Sequence, residues 1–427
     1  MRTVEEQLAI ITAAASTPEP VRIAISDALG LRCAERVEGT QSLPSFNQAA
    51  IDGFAVRAVD VRNFLQGLQQ GIQAEEEGQP PRAVEEFPVV GDISAGSQRP
   101  VRLQPRQAVR VETGAPLPNL ADAVLPLDWA ESNRRWIRPL HPVNSGEFVH
   151  REGSDVQPGD VVVEQGTVIG AAQVGLLAAA GRSKVLVYPK PRMSVMSFGQ
   201  ELVDIDRDAG LGHVYDINSY SLAAAGREAG AEVNRIGVIN GEPRKLKDLI
   251  EGQLMRSEVV VIAGGVGGAA SDRLREVVGE LGEMDVSRIA MHPGSVLGFG
   301  RLGPDAVPTF LLPSNPSAAL VVFEVLVRPL IQLIRGQRQA TRRVVQARTI
   351  APIESAPGRR GFIRGQLMRD RDTMEFLVDP LGAVHPGEPT HLLGSHGQAN
   401  CLIVVPSDAG PIPPGHVVDV MFLSNQS

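Results

Sequence analysis

Val259-Val260-Val261-Ile262-Ala263-Gly264-Gly265-Val266-Gly267-Gly268-Ala269-Ala270-Ser271-Asp272 is the stretch that decides the fold. The near-continuous apolar run from Glu258 to Ala263 reads as a strand buried on both faces. Glycines follow it at once, and a helical pattern runs from Asp272 to Glu283. The same alternation continues outward. Upstream lie a strand at Met193-Met196, a helix over Asn218-Ala231, a strand over Val233-Ile239 and a helix over Arg244-Arg256. Downstream come strands near Arg288-Met291 and Thr309-Leu312, and a long helix from Pro316 to Leu333. This order predicts an α/β unit, a doubly wound and mainly parallel sheet with helices on both faces.

The flanks read differently. Thr3 and Glu6 form a capping box ahead of Val4, Leu8 and Ile11, so a helix opens the chain. From Leu43 to about Glu147, short apolar runs (Phe87-Val90, Ala108-Val111, Ala123-Leu127) between Gly and Pro predict a β-rich module. Within it, Asn63-Arg82 reads as an exposed, tolerated loop with at most one helical turn. The polar, basic Arg335-Arg343 reads as a linker. Val344-Leu423 then returns to short strands, a second β module.

The chain has 427 residues, too many for one ordinary core. Its net charge of −8 offers no field for a polyphosphate, so nucleic acid is not an expected partner. Charged residues at 21% and hydrophobic ones at 43% exclude global disorder. Cys33 and Cys401 are too few for a disulfide framework or a Cys-based zinc site. Met1-Gln7 has no signal-peptide character, and the apolar Ser317-Ile331 is interrupted by Glu324 and Arg328. Cytoplasmic residence without membrane insertion is the expectation.

In a doubly wound sheet, ligands sit beyond the carboxyl ends of the strands. Three segments belong there: Ser197-Phe198-Gly199-Gln200-Glu201, Gly264 to Asp272, and Leu312-Pro313-Ser314-Asn315-Pro316-Ser317. Glycines let backbone N–H groups approach an anion and the next helix adds its dipole; equally, a Gly-rich turn can be a tight connection only. No Gly-Lys-Ser/Thr follows, and the glycine spacing is not that of a dinucleotide fold. Asn315 is placed to cap a helix with Pro316 at its first position. Asp52, in Ala49-Ala55, and Asp155, in Arg151-Asp155, are either site acids or turn residues. His391 and His396 are scattered with no helical metal spacing, and Trp129 and Trp136 read as packing.

Together, Leu43-Pro44 through Asp52-Gly53-Phe54-Ala55-Val56-Arg57, Glu112-Thr113-Gly114-Ala115-Pro116, Arg151-Gly159, Gly264-Gly265-Val266, Pro293-Gly294, Pro313-Pro316, Phe362-Arg364 and Ala399-Asn400 resemble the MoeA family over nearly the whole chain. This family comprises the molybdopterin molybdenumtransferases and includes the E domain of gephyrin. The resemblance implies an elongated linking and dimerisation domain (1–42 and 148–190) with an inserted β-rich module (43–147). It also implies a molybdopterin-binding-like doubly wound domain of the MoaB/MogA type (191–337) and a C-terminal β module (338–427). Carried over as site residues are Asp52, Thr113, Asp155, Glu201 and Asp272, with Gly264, Gly265, Pro313, Asn315 and Pro316 on the cofactor. Glu201 and Asp272 would hold Mg²⁺. The reaction implied is Mg²⁺-dependent hydrolysis of adenylated molybdopterin with insertion of molybdenum into its dithiolene.

Five positions depart from the family pattern. Its Lys-Pro-Gly-Lys is His292-Pro293-Gly294-Ser295; its Pro-Gly-Asn-Pro carries Ser314; Gln200 and Asn240 replace carboxylates. Two lysines on a dianion contribute ~1.5–3 kcal/mol each. Their joint loss would cost roughly 3–6 kcal/mol, about two to four decades in affinity or rate. The departures resemble those of gephyrin-like actinobacterial relatives with a reduced site. On that basis the first expectation is a homodimeric scaffold capturing a short peptide, the tail of the tubulin-like division protein FtsZ, at the division site. Its groove would lie near Val344-Arg364. The alternatives are a working molybdenumtransferase with a variant clamp, using Mg²⁺ and molybdopterin, and a protein that binds molybdopterin without turnover.

Overall fold

The computed structural model describes residues 1–76, 86–98, 101–267, 269–337, 339–381 and 393–423. They fall into two compact units, Met1–Val21 with Val187–Ser427, and Arg22–Leu186.

In the first unit, Thr3 caps the helix Val4–Thr12: its hydroxyl accepts from the Glu6 N–H at 3.1 Å, and the Glu6 carboxylate accepts from the Thr3 N–H at 2.9 Å. Val4 and Ile11 of this helix are buried in the core of the doubly wound sheet. That sheet runs Glu232–Ile239, Arg192–Phe198, Val259–Val266, Val307–Pro313, Val296–Leu302, Gly282–Arg288. The first four strands are parallel, and Val296–Leu302 runs antiparallel to both its neighbours, Val307–Pro313 and Gly282–Arg288. One face packs against Leu222, Phe323 and Leu330, the other against Ile250, Leu274 and Val278. The run from Val259 to Ala263, between these layers, is buried throughout, as an apolar run without alternation requires.

The strand Val296–Leu302 is not apparent from its glycines, which weaken strand propensity. A Cβ on Gly298 would lie 2.8 Å from Leu311 Cβ, and one on Gly300 would lie 2.2 Å from the Glu283 carbonyl oxygen. Close packing demands them. The helical run Pro316–Ile334 has mean hydropathy 1.9, enough for a membrane span by composition, yet 78% of that apolar window is buried inside the unit. It is a core helix. A π-helical turn, Phe323–Val327, interrupts it beside Pro329, which cannot donate the regular backbone bond. Arg335-Arg343 is less of a free linker than its composition suggests. Arg342 donates to Glu324 at 2.5 Å, with Arg328 at 3.4 Å from the same carboxylate.

Strands Val344–Thr349, Arg360–Arg369, Phe376–Pro380, Cys401–Val405 and Val417–Phe422 close into a five-stranded barrel, because Arg360–Arg369 pairs with both Phe376–Pro380 and Cys401–Val405. Closure removes the exposed edges that a small open sheet would present. One strand is added from outside: Met291–His292 lies parallel to Arg360-Gly361.

The second unit centres on a six-stranded mixed sheet, in the order Ala123–Pro126, Gly53–Val56, Ala108–Val111, Phe87–Ile93, Trp136–Pro139, Ala130–Ser132. The segment expected as a loop from Asn63 instead belongs to a helix, Ala58–Glu76. Its sparse apolar residues Val61, Phe64, Leu65 and Leu68 recur at helical spacing and pack on Phe87 and Ile137. Few as they are, they share one face. Residues 77–82 of that expectation, and His391, lie outside the described residues.

Candidate functional site

Arg192–Phe198, Val259–Val266 and Val307–Pro313 are adjacent parallel strands, in register through Met193↔Val259 and Val260↔Thr309. The three segments singled out in the sequence therefore leave one sheet edge side by side. Gly264 has φ +85°, and a Cβ there would lie 2.2 Å from the Phe198 carbonyl oxygen. Only glycine lets the second segment press against the end of the first strand. In the third segment, the Asn315 side-chain oxygen accepts from the Ala318 N–H at 2.9 Å, and Pro316 occupies the first helical position. Ser314 is exposed and keeps a negative φ, so its Cβ imposes no backbone strain.

A group that the sequence reading passed over ties this edge together. Asp216, 2% exposed, accepts from Ser197 Oγ at 2.7 Å and from the Ser219 N–H at 3.0 Å through one oxygen, and from the Ser219 hydroxyl through the other. Arg235 donates to Ser219 Oγ at 3.0 Å and to Asp204 at 3.1 Å, and stacks 3.9 Å from the Tyr220 ring centre. Tyr220 donates its hydroxyl to Asp204 at 2.7 Å. That bond is the main cause holding the Asp204 carboxyl below its usual range and pushing the Tyr220 phenol up. Asn218, 6% exposed, donates from Nδ2 to the Ser314 carbonyl oxygen at 2.7 Å. The detectable signal was an Asp followed three residues later by Ser at a helix start.

The loop His292–Ser295 reaches the same edge. The Ile289 N–H donates to the Ser295 carbonyl at 2.8 Å, and Gly294 sits so close to the helix after Asn315 that a Cβ would lie 2.2 Å from Val322 Cγ2. His292 is half-buried, and burial first, then the positive Arg359, pushes its imidazole below the ordinary value. Both causes favour its neutral form. The barrel, however, brings guanidinium groups to this side: Arg359 faces His292, and Arg364, 7% exposed, donates to Ser317 Oγ at 2.6 Å.

Glu201 and Asp272 are exposed, Gln200 and Asn240 likewise. The Glu201 backbone carbonyl accepts from the Val214 N–H at 2.9 Å, and the Asp272 carboxylate pairs with Arg275 one turn on. Among the described residues no three His, Cys, Asp or Glu side chains gather as a preformed metal centre. Both are oxygen donors of the kind Mg²⁺ takes, with the Asp272 carboxylate already engaged by Arg275.

In the second unit, Asp52 and Thr113 meet directly. Asp52 Oδ1 accepts from the Thr113 N–H at 2.7 Å and from its hydroxyl at 2.8 Å. The backbone bond first, then the hydroxyl, holds the Asp52 carboxyl below its usual range. Asp155 lies in the segment paired with Leu43, its N–H donating to the Leu43 carbonyl at 3.0 Å. Asn47 bridges the family blocks: its side chain accepts from the Glu152 N–H at 2.8 Å and its carbonyl from the Leu117 N–H at 3.0 Å. The Asp52–Thr113 pair is direct, whereas Asp155 is tied to this region through its backbone bond to Leu43.

This combination of regions defines a class. The MoeA N-terminal region (domains I and II) matches residues 2–181, the probable molybdopterin binding domain matches 194–333, and the MoeA C-terminal region (domain IV) matches 346–423. The chain belongs to the MoeA family. It is 59% identical over 426 residues to molybdopterin molybdenumtransferase 1 of Mycobacterium tuberculosis, covering 99% of each chain. It is 30% identical over 430 residues to molybdopterin molybdenumtransferase 2 of the same organism, covering 99% of this chain and all of that one. A solved molybdopterin biosynthesis MoeA protein from Pyrococcus horikoshii matches with TM-score 0.79 at 29% identity, covering 99% of both chains. A second, from the same organism, matches with TM-score 0.73 at 21% identity, covering 99% of this chain and 100% of that one.

Proposed function

We propose that this chain is a molybdopterin molybdenumtransferase, acting on adenylated molybdopterin and molybdate with Mg²⁺. The observation that carries the reading is the alignment of three site segments on one sheet edge, with Gly264 and capped Asn315 in place. The scaffold expectation set first on the sequence gives way to it, because the relatives that cover the full chain carry transferase names.

In this reading, backbone N–H groups of the second segment and the start of the helix Ala269–Gly279 receive anionic oxygen. Glu201 and Asp272 would hold Mg²⁺, whose charge would offset that of the substrate's phosphate oxygens. Arg359 and Arg364 supply the positive field that Lys supplies elsewhere in the family. Asp52, Thr113 and Asp155 form the second constellation, in a protein we propose to be a homodimer.

His and Ser at positions 292 and 295, where the family pattern has lysines, favour the peptide scaffold. A single assay separates the two readings: cofactor formation from adenylated molybdopterin, molybdate and Mg²⁺, by the native chain and by His292→Lys/Ser295→Lys. Turnover by the native chain is expected. Activity confined to the double variant would overturn the transferase reading, and sedimentation as a monomer would remove the dimer.

A further inference from the structure

The start of the helix Asn218–Glu228 touches two of the three site segments. Asp216 holds Ser197, at the end of the first strand, and Asn218 holds the Ser314 carbonyl in the third segment. The Asn218 amide has a defined orientation. Its Nδ2 donates to a carbonyl, so reversal would set oxygen against oxygen. Its Oδ1 is buried and has no hydrogen-bond donor among the described residues. A buried acceptor without a donor weakens the folded state, so this asparagine does not stand there as an optimised stability contact.

We infer that Asn218 is a positioning residue of the transferase site, whose amide sets the Ser314 carbonyl and thereby the Pro313–Pro316 turn against the ligand. The catalytic consequence rests on the transferase reading; the structural one does not. Asn218 makes this contact through the backbone of Ser314, so the bond survives whichever residue occupies position 314. It also explains why a serine can replace the family's glycine there without releasing the turn.

Asn218→Ala removes the bond to Ser314 and the donorless oxygen together. The melting temperature should stay equal to the parent's or rise, while amide exchange at Ser314 and Asn315 quickens about tenfold. Turnover with adenylated molybdopterin should fall about tenfold in kcat with little change in KM. Asn218→Asp, which sets an acceptor against the Ser314 carbonyl, should lose at least as much. Parent-like exchange at Ser314 and Asn315 in Asn218→Ala would overturn the inference whether or not the protein proves to be a transferase. A fall in melting temperature with faster exchange throughout the sheet would overturn it too, by making Asn218 merely structural. Faster local exchange in Asn218→Ala, where the parent itself has no transferase activity, would uphold the positioning role and refute only the proposed function.

Discussion

Gly264→Ala tests the close approach on which the site edge depends. The native φ of +85° lies in the left-handed region, costing a non-glycine residue about 1–2 kcal/mol. The new methyl would sit 2.2 Å from the Phe198 carbonyl oxygen, a backbone atom that cannot rotate away. Forced packing of this kind adds about 1–3 kcal/mol. The total, about 2–5 kcal/mol, corresponds to roughly 5–15 °C in Tm for a unit of this size. Gly267→Ala is the internal control, because φ is +93° but a Cβ there meets nothing within 4 Å. It should cost the conformational share alone, about 1–2 kcal/mol. Urea unfolding and thermal melting followed by circular dichroism give both values. Equal losses in the two variants would refute the close-approach reasoning, since only their difference reports the Phe198 contact.

Burial, with the charge of Arg364 as a smaller cause, pushes His396 down to about 4. The neutral ring is favoured in the folded state, so stability is full above the ordinary value near 6.5 and falls as pH drops toward 4, where the unfolded chain is already protonated. The loss should approach about 3 kcal/mol between pH 7.5 and 4 and should be smaller in His396→Asn, measured by urea titration at each pH; identical pH slopes would contradict it. Thr113→Val deletes the lesser of the two bonds to Asp52. The Asp52 carboxyl, followed by carbon-detected NMR titration, should move up yet stay below its ordinary range, because the Thr113 N–H remains; an unmoved titration would exclude the hydroxyl as a cause.

Elements with one dominant local signal were legible in the sequence. Val259-Ile262 had no alternation to confuse it, Thr3 and Glu6 announced their helix, and Asn315-Pro316 marked another. The helix Ala58–Glu76 was obscured because its four core residues are diluted by glutamine and glycine, and only the sheet beneath gives their spacing meaning. Val296–Leu302 was diluted differently, by glycines that the neighbouring strands require. The acids and glycines of the site were visible as motifs. Asp216 and Asn218 were not, because a polar residue at a helix start reads as a cap, and nothing local reveals that Ser197 and Ser314 fold back onto it. Nor could the local sequence at His292 disclose Arg359 and Arg364, which arrive through the pairing of Met291-His292 with Arg360-Gly361, residues remote in sequence.

The pairing of Met291-His292 with Arg360-Gly361 has a bearing on how the chain is made. Domains form as units while synthesis proceeds from the N-terminus. The parallel sheet can assemble once Pro313 and its core helix have emerged, while the strand that seats residues 292–295 is still inside the ribosome. A nascent chain at that stage carries a finished sheet whose rim, held by Ile289 and Val322, still lacks its pairing with Arg360-Gly361.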